Sequence, residues 1–302
     1  MSKIVTPAIE RQMKINKRRP VGYIASPFKE AWRRLARNKT AVAGLIVIAI
    51  FIIVAIIAPW ITKYDPTAQD YSCTLQPPSA EHIFGTDNYG RDIFSRIVYG
   101  ARVSLPIGLL CAICSLVTGG VIGIVAAYFG GLFEDIIMRL CDIIQAIPPM
   151  LLAIAVLAAL GNGIDKMIIA NTIALIPLYA RISRAAIYTV KENDYIEAGR
   201  AIGAGNLRLM FKHMLPNALG PIIVTTTFGV AGCILVVSSL SYLGLGITAP
   251  TPEWGSMLSN AREFLTSAPY YIIIPGVMIM ITVFAINLFG DGLRDALDPR
   301  LK

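Results

Sequence analysis

The sequence predicts an all-α, polytopic membrane protein with six transmembrane helices and with its N- and C-termini in the cytoplasm. Three observations carry this. The 302 residues are 55% hydrophobic and only 15% charged, at a mean hydropathy of +0.64. Their charges leave six uncharged runs, at 40–62, 103–133, 143–164, 167–180, 214–252 and 264–290. Lys and Arg fall mostly on one side of those runs. A bilayer core about 30 Å thick needs about 20 apolar residues of helix, which all of these runs except 167–180 supply. Such a composition excludes a disordered chain, a secreted disulfide scaffold and an ordinary soluble enzyme.

Residues 1–39 form a polar arm carrying 11 of the 27 basic residues, among them Lys14–Arg19. An arm of this kind contacts lipid headgroups, and nucleic-acid binding is the weaker rival reading. A cleaved signal peptide would put a short apolar core near the start, so the first helix, 40–62, is expected to remain in the mature protein. Residues 63–102 follow as an extracytoplasmic loop, either a cap or a loose connector. A five-helix core is expected over 103–290. The chain's second and third helices lie in 103–133 and 143–164, the latter interrupted by Pro148 and Pro149. Run 167–180 is short, but it can span if Arg181 and Arg184 bury their stems and keep their guanidinium groups among the headgroups. The run from 214 is too long for one helix. Gly244, Gly246, Pro250 and Pro252 break it, so a helix from about Ala218 to Leu240 followed by a loop is expected. The sixth helix holds Pro275 and Gly276, and a tail spans 291–302. Prolines inside helices produce kinks, which serve either as hinges or as static packing shapes.

Orientation follows from the basic residues. With the N-terminus inside, 21 of the 27 Lys and Arg lie on the inner segments and six on the outer ones. This asymmetry is the positive-inside pattern, and it accounts for the formal charge of +8.

Chemistry that is missing narrows the function. The chain has no phosphate-binding loop, no zinc-protease motif and no nucleophile elbow, so no catalytic residues, cofactor or metal site are expected. Cys111 and Cys114 form a C-x-x-C, but within an apolar helix two small buried side chains are the plain reading. His82 reads as a surface residue. Ion-coupled transporters place ionisable groups at mid-membrane, whereas all six runs here lack charge. Either another subunit supplies energy or the chain is a passive pore.

The inner loop 181–216 is the most informative segment. Glu197, Ala198 and Ala201 favour helix while Gly203 and Gly205 stop it, predicting a short helix near Asp194–Ile202. Leu207, Met210, Phe211 and Leu215 recur at helical spacing and predict an amphipathic helix leading into the fifth span.

Here the sequence resembles the permease signature of ABC importers, an E-A-A followed by a spaced Gly and then by an apolar residue, any residue, Leu and Pro. The match is Glu197, Ala198, Gly199, Gly203, His213, Leu215 and Pro216, with Gly199 in place of the second Ala and His213 in place of the apolar residue. Phe84-Gly-Thr-Asp-Asn-Tyr-Gly-Arg-Asp92 and Gly290-Asp-Gly-Leu-Arg-Asp-Ala-Leu-Asp-Pro299 are similar to the C-type permease of dipeptide, oligopeptide and nickel importers. The resemblance covers nearly the whole chain. It implies a type I ABC importer permease fold in the inner membrane. The implied partners are a homologous second permease forming a heterodimer, two cytoplasmic ATPases and an extracytoplasmic substrate-binding protein, besides membrane lipid.

On this resemblance the 195–217 loop couples to the ATPases. A helix seated in a partner's cleft transmits a push that a floppy loop does not. Glu197 supplies a charge for a basic group, while Ala198, Gly199 and Gly203 keep the face shallow. Gly85, Thr86, Asp87, Gly90, Arg91 and Asp92 are read two ways. They are a docking or gating element on the outer face, or a turn in which Asp87 or Asn88 caps a helix starting near Gly90 and Arg91 pairs with Asp92. Polar residues within the spans, such as Gln145, Asn162, Asn171, Thr225–Thr227, Ser238, Ser239 and Asn287, line a channel or bond helices together. The expected function is import of dipeptides or oligopeptides. Nickel or a metal chelate is the nearer alternative, and an ion-coupled secondary transporter or an intramembrane enzyme the more distant ones.

Overall fold

A computed structural model describes residues 27–247 and 249–298. The Lys14–Arg19 arm and the last four residues of the tail lie outside the described residues. Helix α1 (Pro27–Leu35) leads through a short turn to α2 (Lys39–Ile56), where Asn38 Oδ1 accepts from the Thr40 and Ala41 amides at 3.1 and 3.2 Å. A single turn, α3 (Ala58–Ile61), closes this first span. The outer segment then runs to α4 (Ile93–Phe129), which turns at Gly130 into α5 (Gly131–Gln145). Beyond a break come α6 (Pro149–Leu160) and α7 (Ile164–Lys191). The loop on the side that the basic residues predict as inner holds α8 (Asp194–Ala201), a turn at Asn206–Arg208 and a π-helical turn at Leu209–Met214, which passes into α9 (Leu215–Tyr242). On the opposite side, outer by the same expectation, α10 (Trp254–Ala261) precedes the last helix, α11 (Pro269–Leu297).

Five helical stretches are long and apolar enough to cross a bilayer: α2, α4, α7, the continuous Asn206–Tyr242 and α11. The pair α5 and α6 makes a sixth span only as a unit bent by 83°. Pro148 and Pro149 account for the bend, because neither has an N–H to donate and a residue preceding proline is pushed out of the helical region. At 1.5 Å per residue, the 37 residues of α4 extend about 55 Å, well beyond a 30 Å hydrocarbon core. The second span therefore projects as helix into the outer segment, starting ahead of its uncharged run.

The hydrophobic pattern fits lipid on the outside. Ile46, Ile50, Ile53, Leu109, Ile113 and Met280 face outward, while Ala, Gly and Ser residues fill the helix contacts. The packing between α4 and α7 illustrates this, with Ala126, Ala127 and Ala180 fully buried. Close approach of small residues is how membrane helices gain dispersion contact without a hydrophobic drive between them. The outer core gathers Ile93, Ile97, Trp254, Met257 and Tyr271, and the inner core gathers Tyr128, Ile187, Ile196, Leu209 and Met214. The five cysteines are free, and Cys111 and Cys233 are buried with Leu157 and Met167 in a third cluster.

Candidate functional sites at the two membrane faces

The inner site is built on α7 and the stem of α9. Asp194 and Glu197 occupy the first turn of α8, where carboxylates oppose the positive end of the helix dipole. Ile196 points inward and is fully buried against the inner core. Glu197 and Ala198 point outward and are exposed, with no partner for Glu197 among the described residues. The helix ends in a Schellman turn. The Ala204 amide donates to the Gly199 carbonyl at 3.0 Å and the Gly203 amide to the Arg200 carbonyl at 2.9 Å. Gly203 is left-handed at φ +81°, and a Cβ there would meet nothing within 4 Å. The left-handed backbone thus favours glycine here, and no packing contact within the chain does. At Gly199 the reason is different, since a Cβ would stand 2.9 Å from Leu209 Cδ2.

Beyond the turn, Leu209, Met210 and Met214 are buried and anchor the loop to α4 and α7. The Tyr128 hydroxyl donates to Asn206 Oδ1 at 2.8 Å, and Lys191 Nζ donates to the Ala127 carbonyl at 2.6 Å. Pro216 follows a π-helical turn in which the Leu215 amide reaches the Met210 carbonyl. Widening the helix by one residue there makes room for a proline that would otherwise collide with the carbonyl four residues earlier. His213 is half-buried and its carbonyl accepts from Asn217 Nδ2 at 2.7 Å. Between these anchors Ile202 is 85% exposed and Leu207 71% exposed, with Tyr195 and Phe211 also open to solvent. Beside the loop, Glu134 is held by Arg184 and by the Tyr188 hydroxyl. The sequence reading missed Ile202 as a surface feature, although an isoleucine beside a helix-stopping glycine is its signal.

The outer site is a folded cap and not a loose connector. Gly85, Thr86, Asp87, Gly90, Arg91 and Asp92 are all buried. Asp87 Oδ1 accepts from the Tyr89 amide at 2.8 Å and the Arg91 amide at 2.9 Å, while Asp87 Oδ2 lies 2.6 Å from Arg91 Nε. Arg96 approaches the same carboxylate at 3.6 Å, and its Nη1 donates to the Pro66 carbonyl at 2.8 Å and the Pro250 carbonyl at 3.4 Å. A Cβ on Gly90 (φ +71°) would overlap the Asp70 carbonyl. Thr86 and Asp92 form an antiparallel bridge, and the Tyr271 hydroxyl reaches Asn88 Oδ1 at 3.2 Å.

Three expectations are corrected here. The helix starts at Ile93, not near Gly90, because Asp92 is the cap: its Oδ2 accepts from the Ser95 amide and hydroxyl, each at 2.7 Å. Arg91 pairs with Asp87 and not with Asp92. His82 is buried, with Nδ1 3.0 Å from Asp92 Oδ1 and its ring against Tyr64, so it is not a surface residue.

Glu253 joins the cap from the far end of the chain. Its carboxylate accepts from the Gly255 and Ser256 amides at 2.8 and 2.7 Å, capping α10, and Ser104 Oγ lies 3.4 Å away. Burial pushes this carboxyl above the usual glutamate range, against the pull of the amide hydrogen bonds. Trp254 is buried beside it, its Nε1 donating to the Ile97 carbonyl at 3.0 Å. Sequence reading passed over Glu253, whose only signal was an acid ending a long uncharged stretch.

The chain matches the family described as "Binding-protein-dependent transport system inner membrane component" over residues 119–302, and the "N-terminal TM domain of oligopeptide transport permease C" over residues 26–78. It is 47% identical over 277 residues to a dipeptide transport system permease protein of Alkalihalophilus pseudofirmus, covering 92% of this chain and 91% of that one. It is 45% identical over 283 residues to a di/tripeptide transport system permease protein of Pseudomonas aeruginosa, covering 92% and 93%. A glutathione transport system permease protein of Escherichia coli is 42% identical over 280 residues, with 92% of each chain covered. In fold, the chain is similar to the MetNI methionine ABC transporter in an inward-facing structure, at a TM-score of 0.56 and 19% identity, covering 67% of this chain and 96% of that one. These findings place the chain as a multi-pass protein of the inner membrane, in a family that works with a substrate-binding protein and an ATPase. The chain belongs to the family of inner-membrane permease subunits of binding-protein-dependent ABC importers.

Proposed function

We propose that this permease carries dipeptides or oligopeptides, paired as a heterodimer with a homologous second permease between two cytoplasmic ATPases and an extracytoplasmic binding protein. The names of its relatives, which cover dipeptide, di/tripeptide and glutathione transport, support a short-peptide cargo. ATP hydrolysis belongs to the partner subunits.

The single observation that carries the mechanism is the construction of the inner loop. Ile196, Leu209, Met210 and Met214 root α8 in the bundle, while Glu197, Ala198, Ile202 and Leu207 face out. A rigid base with an exposed apolar and acidic crest is suited to seating in a cleft and transmitting its motion. When ATP closes the ATPase pair, the crest moves with the cleft, and α9, continuous with the loop through the π turn, carries that displacement across the membrane. Glu197, Ala198, Gly199, Gly203, His213, Leu215 and Pro216 thereby serve coupling in two ways. Glu197 and Ala198 make contact, and the others shape the loop. On the opposite face, Gly85, Thr86, Asp87, Gly90, Arg91 and Asp92 brace the cap that receives the binding protein, with exposed neighbours such as Ile83 and Tyr89 presenting its surface.

The test is Glu197→Lys in the assembled importer. Membrane insertion and assembly should be unchanged, while ATP hydrolysis stimulated by the loaded binding protein falls to the basal rate. Full stimulation in the variant removes the role given to the α8 crest.

A further inference from the structure

We infer that α1 is a docking surface for anionic phospholipid headgroups, seated where the first span enters the bilayer. Leu35 turns inward and packs with Ala41 and Ala296 beside Phe289 and Leu293, tying α1 to both α2 and the end of α11. The intervening turn is closed by backbone bonds from Ala36 to Trp32 and from Asn38 to Leu35, at 2.9 and 3.0 Å, and Asn38 then caps α2. With so short and so fully bonded a link, α1 is held at the membrane boundary that α2 defines.

The face left over has two properties. Trp32 is 62% exposed, and an indole at this level has its apolar ring in the acyl boundary and its N–H among headgroups. On the same short segment Arg33, Arg37 and Lys39 are exposed, with no acidic partner among the described residues, whereas Arg34 is engaged by Glu30 at 2.7 Å. Residues 30–39 carry four basic side chains and one acid, so this segment presents net positive charge beside an exposed indole, complementary to anionic lipid and not to a basic or neutral partner. Its position places bound lipid beside the C-terminal end of α11, which in turn packs against α9, the helix that follows the inner loop.

The experiment places a benzophenone amino acid at position 32 in the assembled importer, reconstituted in bilayers of phosphatidylcholine with a minor fraction of phosphatidylglycerol. Light-induced adducts are then identified by mass spectrometry. Phosphatidylglycerol adducts should exceed the bulk fraction by about fivefold, which is what one basic contact of about 1 kcal/mol yields. In the triple variant Arg33→Gln, Arg37→Gln, Lys39→Gln the enrichment should fall to the bulk ratio. Adducts in bulk proportion with the native charges would overturn headgroup selectivity. Adducts to an ATPase or to the second permease would overturn lipid as the occupant.

Discussion

Gly203 and Asp87 are both small fixed points of their loops, yet they fail by different physics. Gly203 needs only its left-handed backbone, because nothing in the chain stands where its Cβ would be. Asparagine tolerates that conformation and valine does not. Gly203→Asn should therefore retain substrate-stimulated ATP hydrolysis, whereas Gly203→Val, at a cost of about 1–2 kcal/mol to the turn, should lose most of it. A stimulated-ATPase assay on both variants separates a helix terminator from a contact surface, since a contact surface would reject asparagine as well. Asp87 instead sits between two buried arginines. Asp87→Ala leaves their charge uncompensated and should cost about 3–5 kcal/mol, seen as a lower thermal midpoint of the purified complex and faster proteolysis of the outer segment. Neither difference could be read from composition. Gly203 was readable as a helix stop from its place after Ala201, but the arginine pair was not, because Arg96 meets Pro66 and Pro250 from far along the chain.

The junction at residues 209–216 shows how one element's irregularity follows from a single side chain. The π turn and Pro216 are adjacent, and the extra residue in the turn relieves the clash that proline makes with a regular helix. Pro216→Ala removes the need for the turn. The variant should insert normally and lose several-fold in stimulated ATP hydrolysis, as the phase of α8 relative to α9 shifts. Unaltered stimulation would mean that the turn is not needed for coupling. The spans themselves were readable because charge avoids the bilayer: each uncharged run overlaps a membrane-crossing helix or the bent pair, although 167–180 is the run that lies wholly inside one helix. The bend at Pro148 and Pro149 was signalled by the residues, although its size was not, since 83° depends on what α5 and α6 pack against. In the outer cap, the sequence reading placed the helix start too early and left His82 at the surface. Both errors arise because the Asp92 carboxylate serves Ser95 and His82 together, a choice among several acidic residues that only the fold makes.

Across the molecule, the folded parts fall into an inner handle, a span region without mid-membrane charge in its uncharged runs, and a cap held by buried ionic groups. The absence of charge in those runs argues against a chain powered by its own ion gradient. On the proposed coupling role, the handle is where energy from an ATPase subunit enters as motion. Proteoliposomes containing the whole importer and an internal ATP supply, with labelled dipeptide delivered by the binding protein, test this. Uptake should require ATP hydrolysis and cease when the ATPase subunits are inactivated, with or without an imposed proton or sodium gradient. Uptake that persists on a gradient with inactive ATPases would contradict it.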